Sequence, residues 1–190
     1  MSVPGFSSHP GTKIHVVPLD DIKDWVLGEV SSHLDETFHC RVEISPPMKI
    51  PPDAYHPQRK QFFSSRILNA LHRSLSAHQK GKVLALADVD LYVPSLNFVF
   101  GEAELGGKFA VISLSRLRQS FYGLPENRTL FLERTVKEAV HELGHTFGLR
   151  HCPNQECVMH FSNSLSDTDR KSPSFCSRCQ RLLEKFQREK

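Results

Sequence analysis

Two periods of apolar and polar positions alternate along the chain, and they predict its elements. Residues 13–18 read KIHVVP, short, β-branched and alternating, which predicts a strand. Ile22, Trp25, Val26, Val30 and Leu34 then recur at helical spacing, so a helix is expected over 22–34, with Asp20 and Asp21 offered as N-caps. Residues 39–44 (HCRVEI) read as a second strand, with Cys40 inside it as a small buried thiol. The next segment, 45–57, contains five prolines and must be an irregular connection. A helix is expected over 58–78, with Phe62, Phe63, Ile67, Leu68 and Leu71 along one side. Strands follow at 82–93, 97–105 and 108–114, the middle one carrying a glycine that suggests a bulge or a close backbone approach. The helical period returns over 129–147 through Leu132, Val136, Ala139, Val140, Leu143 and Phe147, and Gly148 stops it. Residues 150–175 show no period, and a last helix is expected from about 177 to 188. The order β-α-β-α-β-β-β-α implies an α/β fold, a mixed twisted sheet backed by two helices with an irregular C-terminal region.

Composition narrows this picture only modestly. At 190 residues and 39% apolar the chain has material for one domain with a core that needs no disulfides. Its formal charge of +3 comes from scattered Lys and Arg, so no nucleic-acid partner is expected. No apolar run approaches the ~20 residues of a spanning helix, so no membrane partner is expected either. Residues 1–12 are polar and rich in Ser, Gly and Pro without an apolar core, so they read as a flexible N-terminus rather than a secretory signal, and a cytoplasmic monomer is expected. Two further units are drawn, an N-terminal subdomain over 13–148 and a C-terminal one over 149–190.

The chemistry concentrates at His141-Glu142-Leu143-Gly144-His145-Thr146-Phe147-Gly148-Leu149-Arg150-His151. Residues i and i+4 of a helix share a face, so His141 and His145 can place imidazole nitrogens on one Zn²⁺ at ~2.0–2.1 Å. A third ligand further along the same straight helix would point away. Gly148 permits the sharp exit that lets His151 return to the metal. Three neutral histidines leave a fourth position open, which is the arrangement of a catalytic zinc. Glu142 is one step round the helix, placed to reach a water in that position, and it is assigned as general base.

The other cysteines form two close pairs, Cys152 with Cys157 and Cys176 with Cys179. Four thiolates can close a tetrahedral structural zinc site that ties down the polar stretch between them. A redox-active CxxC, an iron–sulfur cluster and unpaired thiols are the alternatives. His160 can face the cleft or simply pack, and packing is the favoured reading.

The run HELGHTFGLRHC, then Cys157, Val158 and Met159, then Cys176-Ser-Arg-Cys179, resembles the archaemetzincins, a metzincin-like family of zinc peptidases. The segments DAYHPQRKQF and DLYVPSLNFVFGEAEL have the look of the same family. The resemblance implies a metzincin-like fold with Met159 in a turn beneath the three histidines, and NFVFG as an edge strand that pairs with an extended substrate. It implies two Zn²⁺ per chain, one catalytic and one structural, and a peptide or protein substrate. The expected activity is peptide-bond hydrolysis by a zinc-activated water, aminopeptidase-like by association with some members. A catalytically silent or latent zinc-binding protein of the same fold is the alternative.

Overall fold

The computed structural model describes residues 12–77 and 80–188. Residues 1–11, most of the expected flexible N-terminus, and His78, the expected end of the second helix, lie outside them. Eight strands and five α-helices are described: β1 (Ile14–Leu19), α1 (Asp24–Phe38), β2 (Val42–Ile44), β3 (Tyr55–His56), β4 (Gln61–Phe63), α2 (Ser64–Leu75), β5 (Lys82–Ala87), β6 (Leu91–Tyr92), β7 (Gly101–Ala103), β8 (Phe109–Ser113), α3 (Arg128–Phe147), α4 (Leu165–Arg170) and α5 (Ser177–Arg188).

The main sheet has the order β2-β1-β5-β8-β7. Strand β1 runs parallel to β2 and β5, β5 runs parallel to β8, and only β7 is antiparallel, at the edge. The central strands β1, β5 and β8 are buried throughout, as parallel strands covered on both faces must be. Their alternation sorts two cores. Ile14, Val16, Leu84, Leu86, Ala110 and Ile112 point to one face, where α1 and α3 pack through Val26, Val30, Leu34, Val136, Ala139, Val140 and Leu143. Val17, Leu19, Val83, Ala85, Phe109 and Val111 point to the other, against Ile67, Leu68 and Leu71 of α2. Burying each of the Val, Leu, Ile and Phe side chains among them stabilises the fold by roughly 1.5–3 kcal/mol. Among the described residues no helix is long and apolar enough to cross a membrane.

Several expected boundaries shift, and each shift has a local cause. The helix expected from 58 starts at Ser64, because Gln61–Phe63 forms β4 in a second sheet of order β3-β4-β6. Pairing of Phe62 and Phe63 with Leu91 and Tyr92 outweighs the local helical spacing. The strand expected over 82–93 breaks between β5 and β6, where Asp90 takes a two-toothed ion pair from Arg116 and a hydrogen bond from Gln61. Cys40 is buried but lies before β2, just after His39, which has left-handed φ (51°) at the end of α1. Neither Asp20 nor Asp21 caps α1; Lys23 occupies the N-cap without a side-chain bond. The stretch without period holds the short helix α4, capped by Ser164, whose hydroxyl accepts from the Asp167 amide.

Helix α3 is buried along most of its length, including its polar residues. Arg134 forks onto both Asp169 oxygens at 2.6 Å, Lys137 meets Glu133 at 2.6 Å, and Glu138 meets Lys171 at 3.0 Å. The first and last of these pairs, with Lys137 Nζ on the Asp169 carbonyl at 3.3 Å, clamp α4 and the segment after it onto the turns of α3 that precede His141. Lys82 of β5 donates to the carbonyls of Gly107 and Thr146 at 2.6 Å, holding the far end of the helix to the β7–β8 turn.

Candidate metal centre and cleft

Asn127 caps α3, accepting from the Leu130 amide, and Gly148 ends it at φ 106° with its amide on the carbonyls of Gly144 and His145. The helix thus delivers His141 and His145 from successive turns, and the chain turns back at once. Its carbonyls then orient the rings: His141 Nδ1 donates to Val158 O at 2.8 Å and His145 Nδ1 donates to Leu149 O at 2.7 Å. A carbonyl only accepts, so the proton of each ring sits on Nδ1 and the facing Nε2 atoms are bare. Those two Nε2 atoms lie 3.1 Å apart. Two lone pairs at that distance repel unless a cation lies between them. A tetrahedral zinc with bonds of ~2.0–2.1 Å would set its ligands about 3.3–3.4 Å apart, so the donor set fits that ion. His151 completes the group: its ring centroid is 5.4 Å from that of His141 and 4.9 Å from that of His145, and nitrogens of all three lie within 4.8 Å of one another.

Electrostatics keep the trio neutral. Burial, then Lys171 and His145, holds His141 well below the ordinary imidazole pKa. Burial also lowers His145, against the opposing Leu149 carbonyl. His151 is brought down to about 4, by burial first and His145 next. Neutral imidazoles are the form that binds a metal. Glu142 is raised well above the usual carboxylate range by burial and by Glu138, with Lys171 opposing.

Met159 is fully buried beneath α3 in a turn where the His160 amide bonds Cys157 O at 2.8 Å. Its sulfur fits only because position 144 is glycine: a Cβ there would stand 2.5 Å from Met159 Sδ. His160 packs, with Nδ1 donating to Cys152 O at 2.9 Å. The four cysteines Cys152, Cys157, Cys176 and Cys179 form a second cluster, all free thiols with sulfurs within 4.8 Å of one another. Cys152 Sγ and Cys176 Sγ are 3.8 Å apart, about the separation that Zn–S bonds of ~2.3 Å impose in a tetrahedron. The Cys176 thiol is lowered to about 7, chiefly by the Cys179 backbone amide, toward the thiolate that a metal needs, whereas burial raises the Cys157 and Cys179 thiols.

The matching family model, Peptidase family M54, covers residues 19–185. The archaemetzincin of Thermococcus kodakarensis is 43% identical over 90% of this chain and 94% of its own length. The chain belongs to the archaemetzincin family. It is therefore a zinc metallopeptidase, and its fold is that of solved archaemetzincins. The crystal structure of the Methanopyrus kandleri archaemetzincin superposes with a TM-score of 0.83 at 40% identity, over 94% of this chain and 96% of that one. A zinc-dependent peptidase from Methanocorpusculum labreanum matches at a TM-score of 0.80 and 28% identity, over 90% of this chain and 99% of that one.

A cleft of about 410 Å³ opens over the histidines, between β7 and its preceding residues on one side and Phe161–Asn163 on the other. Glu142 lines it, and its carboxylate presses against the sheet edge. A Cβ at Gly101 would stand 2.6 Å from Glu142 Cγ and 2.7 Å from Oε1. Strand alternation sends Gly101 toward α3 and Glu102 to the other face, where Ser65 holds its carboxylate at 2.8 and 3.0 Å. The glycine of the strand expected over 97–105, read there as a bulge or a close approach, is Gly101, where the Glu142 side chain meets the backbone; Gly144 and the Glu138–Lys171 pair escape sequence reasoning. Of these, Glu138 carried a signal: it lies one helical turn before Glu142, on the same face.

Two outcomes follow from this geometry. Gly101→Ala should displace Glu142 and slow peptide hydrolysis by roughly 100-fold, with zinc content unchanged; a rate within threefold of wild type would show that the contact is dispensable. The second concerns chelator-treated protein. The three histidines have lowered folded pKa values, so below pH 6.5 the unfolded chain binds more protons and stability falls toward pH 4. Raised Glu142 acts in the opposite sense above pH 4.5, but it is one group against three. The thermal midpoint of the metal-free protein should drop steadily as pH falls from 7 to 4.5, and a flat or rising profile would contradict the neutral trio.

Proposed function

We propose that this archaemetzincin hydrolyses peptide bonds with His141, His145 and His151 as ligands of a catalytic zinc and Glu142 as general base. The observation that carries the reading is the convergence of two bare Nε2 atoms and a third imidazole beside a buried carboxylate that faces the same cleft. Zinc bound there supplies Lewis acidity, lowering the pKa of water toward ~7 and polarising a carbonyl. Glu142 takes the proton of the attacking water and passes it to the leaving amine. The terminal strand β7, with NFVFG leading into it, is the surface against which an extended substrate lies. Cys152, Cys157, Cys176 and Cys179 hold a second, structural zinc, and Met159 is the apolar floor. On this reading the chain divides at Gly148 into subdomains 13–148 and 149–190, joined through the histidine-bound metal, while the four cysteines all belong to the second.

Aminopeptidase-like cleavage is the finer part of the proposal. Peptides with free and acetylated amino termini separate this mode from endopeptidase action.

Glu142→Ala should keep zinc at the histidine centre and reduce hydrolysis at least 1,000-fold, read by metal analysis and a fluorogenic peptide set. Retained activity would remove Glu142 from the base role. Cys176→Ser should lower the zinc count by one per chain and reduce thermal stability, because a structural zinc contributes folding free energy directly. An unchanged count would argue against the four-cysteine site.

A further inference from the structure

The edge strand β7 has three residues and is paired on one side only, by β8. So short a hairpin is marginal by itself, yet its turn, residues 104–108, is firmly anchored. The Glu104 carboxylate folds back on the turn, Oε2 accepting from the amides of Lys108 and Phe109 at 3.0 and 3.3 Å. The Gly106 amide donates to His145 O at 2.8 Å. Lys82, the first residue of β5, is buried. Its ammonium donates to Gly107 O and to Thr146 O at 2.6 Å each, 5.0 Å from the centre of the Phe147 ring. The last carbonyls of a helix have no partner within it, and the helix dipole favours a cation beside them. Both links therefore reach α3 at consecutive carbonyls, those of His145 and Thr146. Between Glu104 and Gly106 stands Leu105, which lines the cleft together with His145 and is 49% exposed. Leu96 and Phe161, also large, apolar and exposed, line the same cleft.

We infer that Lys82 is a positioning residue for the substrate: it fixes the β7–β8 turn to the helix of His141 and His145, so that Leu105 meets an apolar substrate side chain beside the scissile bond. The inference rests on the peptidase reading above and names a specificity-determining contact of that same site. A leucine on a mobile turn would contribute little, because each binding event would have to immobilise the turn. Tied to the helix, the same leucine stands at a set place relative to the histidines. An apolar side chain laid against it removes the apolar surface of both from water. A charged side chain there would lose water and gain no partner from the leucine. Lys82 is not among the residues that line the cleft, so its effect passes through the two carbonyls it holds. It does not orient the metal-facing rings either, since the carbonyls of Val158 and Leu149 do that. Losing Lys82 should therefore spare the metal and disturb the substrate.

The test uses the zinc-loaded full chain and short fluorescent peptides that carry Leu or Ala at one position at a time. Binding is measured in the Glu142→Ala background and cleavage in the wild-type background. At one position beside the scissile bond, the Leu peptide should exceed its Ala counterpart at least about 10-fold in affinity and in kcat/KM. Leu105→Ala, a change to an exposed side chain, should shrink that ratio to about threefold or less, and Leu105→Met should keep it. Lys82→Met should shrink it equally, through a higher KM for the Leu peptide, with kcat within about threefold of wild type and zinc content unchanged. The double variant Lys82→Met/Leu105→Ala should lose no more than either single change, because both remove one contact. Should Lys82→Met fail to fold, Lys82→Gln, which lacks the charge, takes its place. A ratio that survives either single change overturns the inference, and lower thermal stability with an unchanged ratio marks Lys82 as structural only. Wild-type protein that cleaves Leu and Ala peptides equally at every position sinks the Leu105 contact and leaves the peptidase reading standing. Protein that cleaves nothing sinks the peptidase reading, while the binding ratios still decide the contact.

Discussion

Helix α3 has to bury polar groups on almost every side, and each burial demands a partner. A charged or hydrogen-bonding side chain removed from water is costly unless something in the protein replaces the water. The structure answers at each turn of the helix. Arg134 meets Asp169, Lys137 meets Glu133, Glu138 meets Lys171, and the Nδ1 atoms of His141 and His145 meet backbone carbonyls. What remains unpaired is a set of bare imidazole nitrogens pointing at one place. That remainder is the metal centre, and the surrounding architecture serves to produce it.

The sheet and the irregular C-terminal segment play distinct parts in this. Buried strands β1, β5 and β8 form a stiff plane on which α3 rests through Val136, Ala139, Val140 and Leu143. The C-terminal segment, poor in regular structure, supplies what the plane cannot: the Val158 carbonyl, Met159, the cleft wall at Phe161–Asn163, and the buried Lys171. Such a segment has little periodic apolar content with which to hold its own shape. Its ordering depends on anchors, namely the Arg134–Asp169 fork, the cysteine cluster and Phe175 packed edge-on to Phe38. The four cysteines, with sulfurs within 4.8 Å of one another, are placed so that a metal held between them would staple it.

Close packing also explains why two glycines sit beside the reacting groups. Gly144 lets the Met159 sulfur lie against the helix, and Gly101 lets the Glu142 carboxylate lie against the sheet edge. Neither position needs glycine for backbone conformation, since neither has positive φ. They need it for volume. Gly148 differs: its φ of 106° is a backbone requirement, and it is what turns the chain back toward the metal.

The amino-acid order alone determined most of the element types, the end of α3 at Gly148, the three histidines with Glu142, and the two cysteine pairs. These are local facts: a helical period, a residue that tolerates left-handed backbone, and spacings that put side chains on one face. The tertiary structure decided the rest. It split the stretch 82–93 between two sheets, turned 61–63 into a strand, and paired Glu138 with Lys171 beneath the cleft. Those outcomes depend on partners far away in sequence, Leu91 for Phe62, Arg116 for Asp90 and Lys171 for Glu138. A polar residue's role in a buried place is set by whichever group replaces its water, and no local pattern records which group that will be.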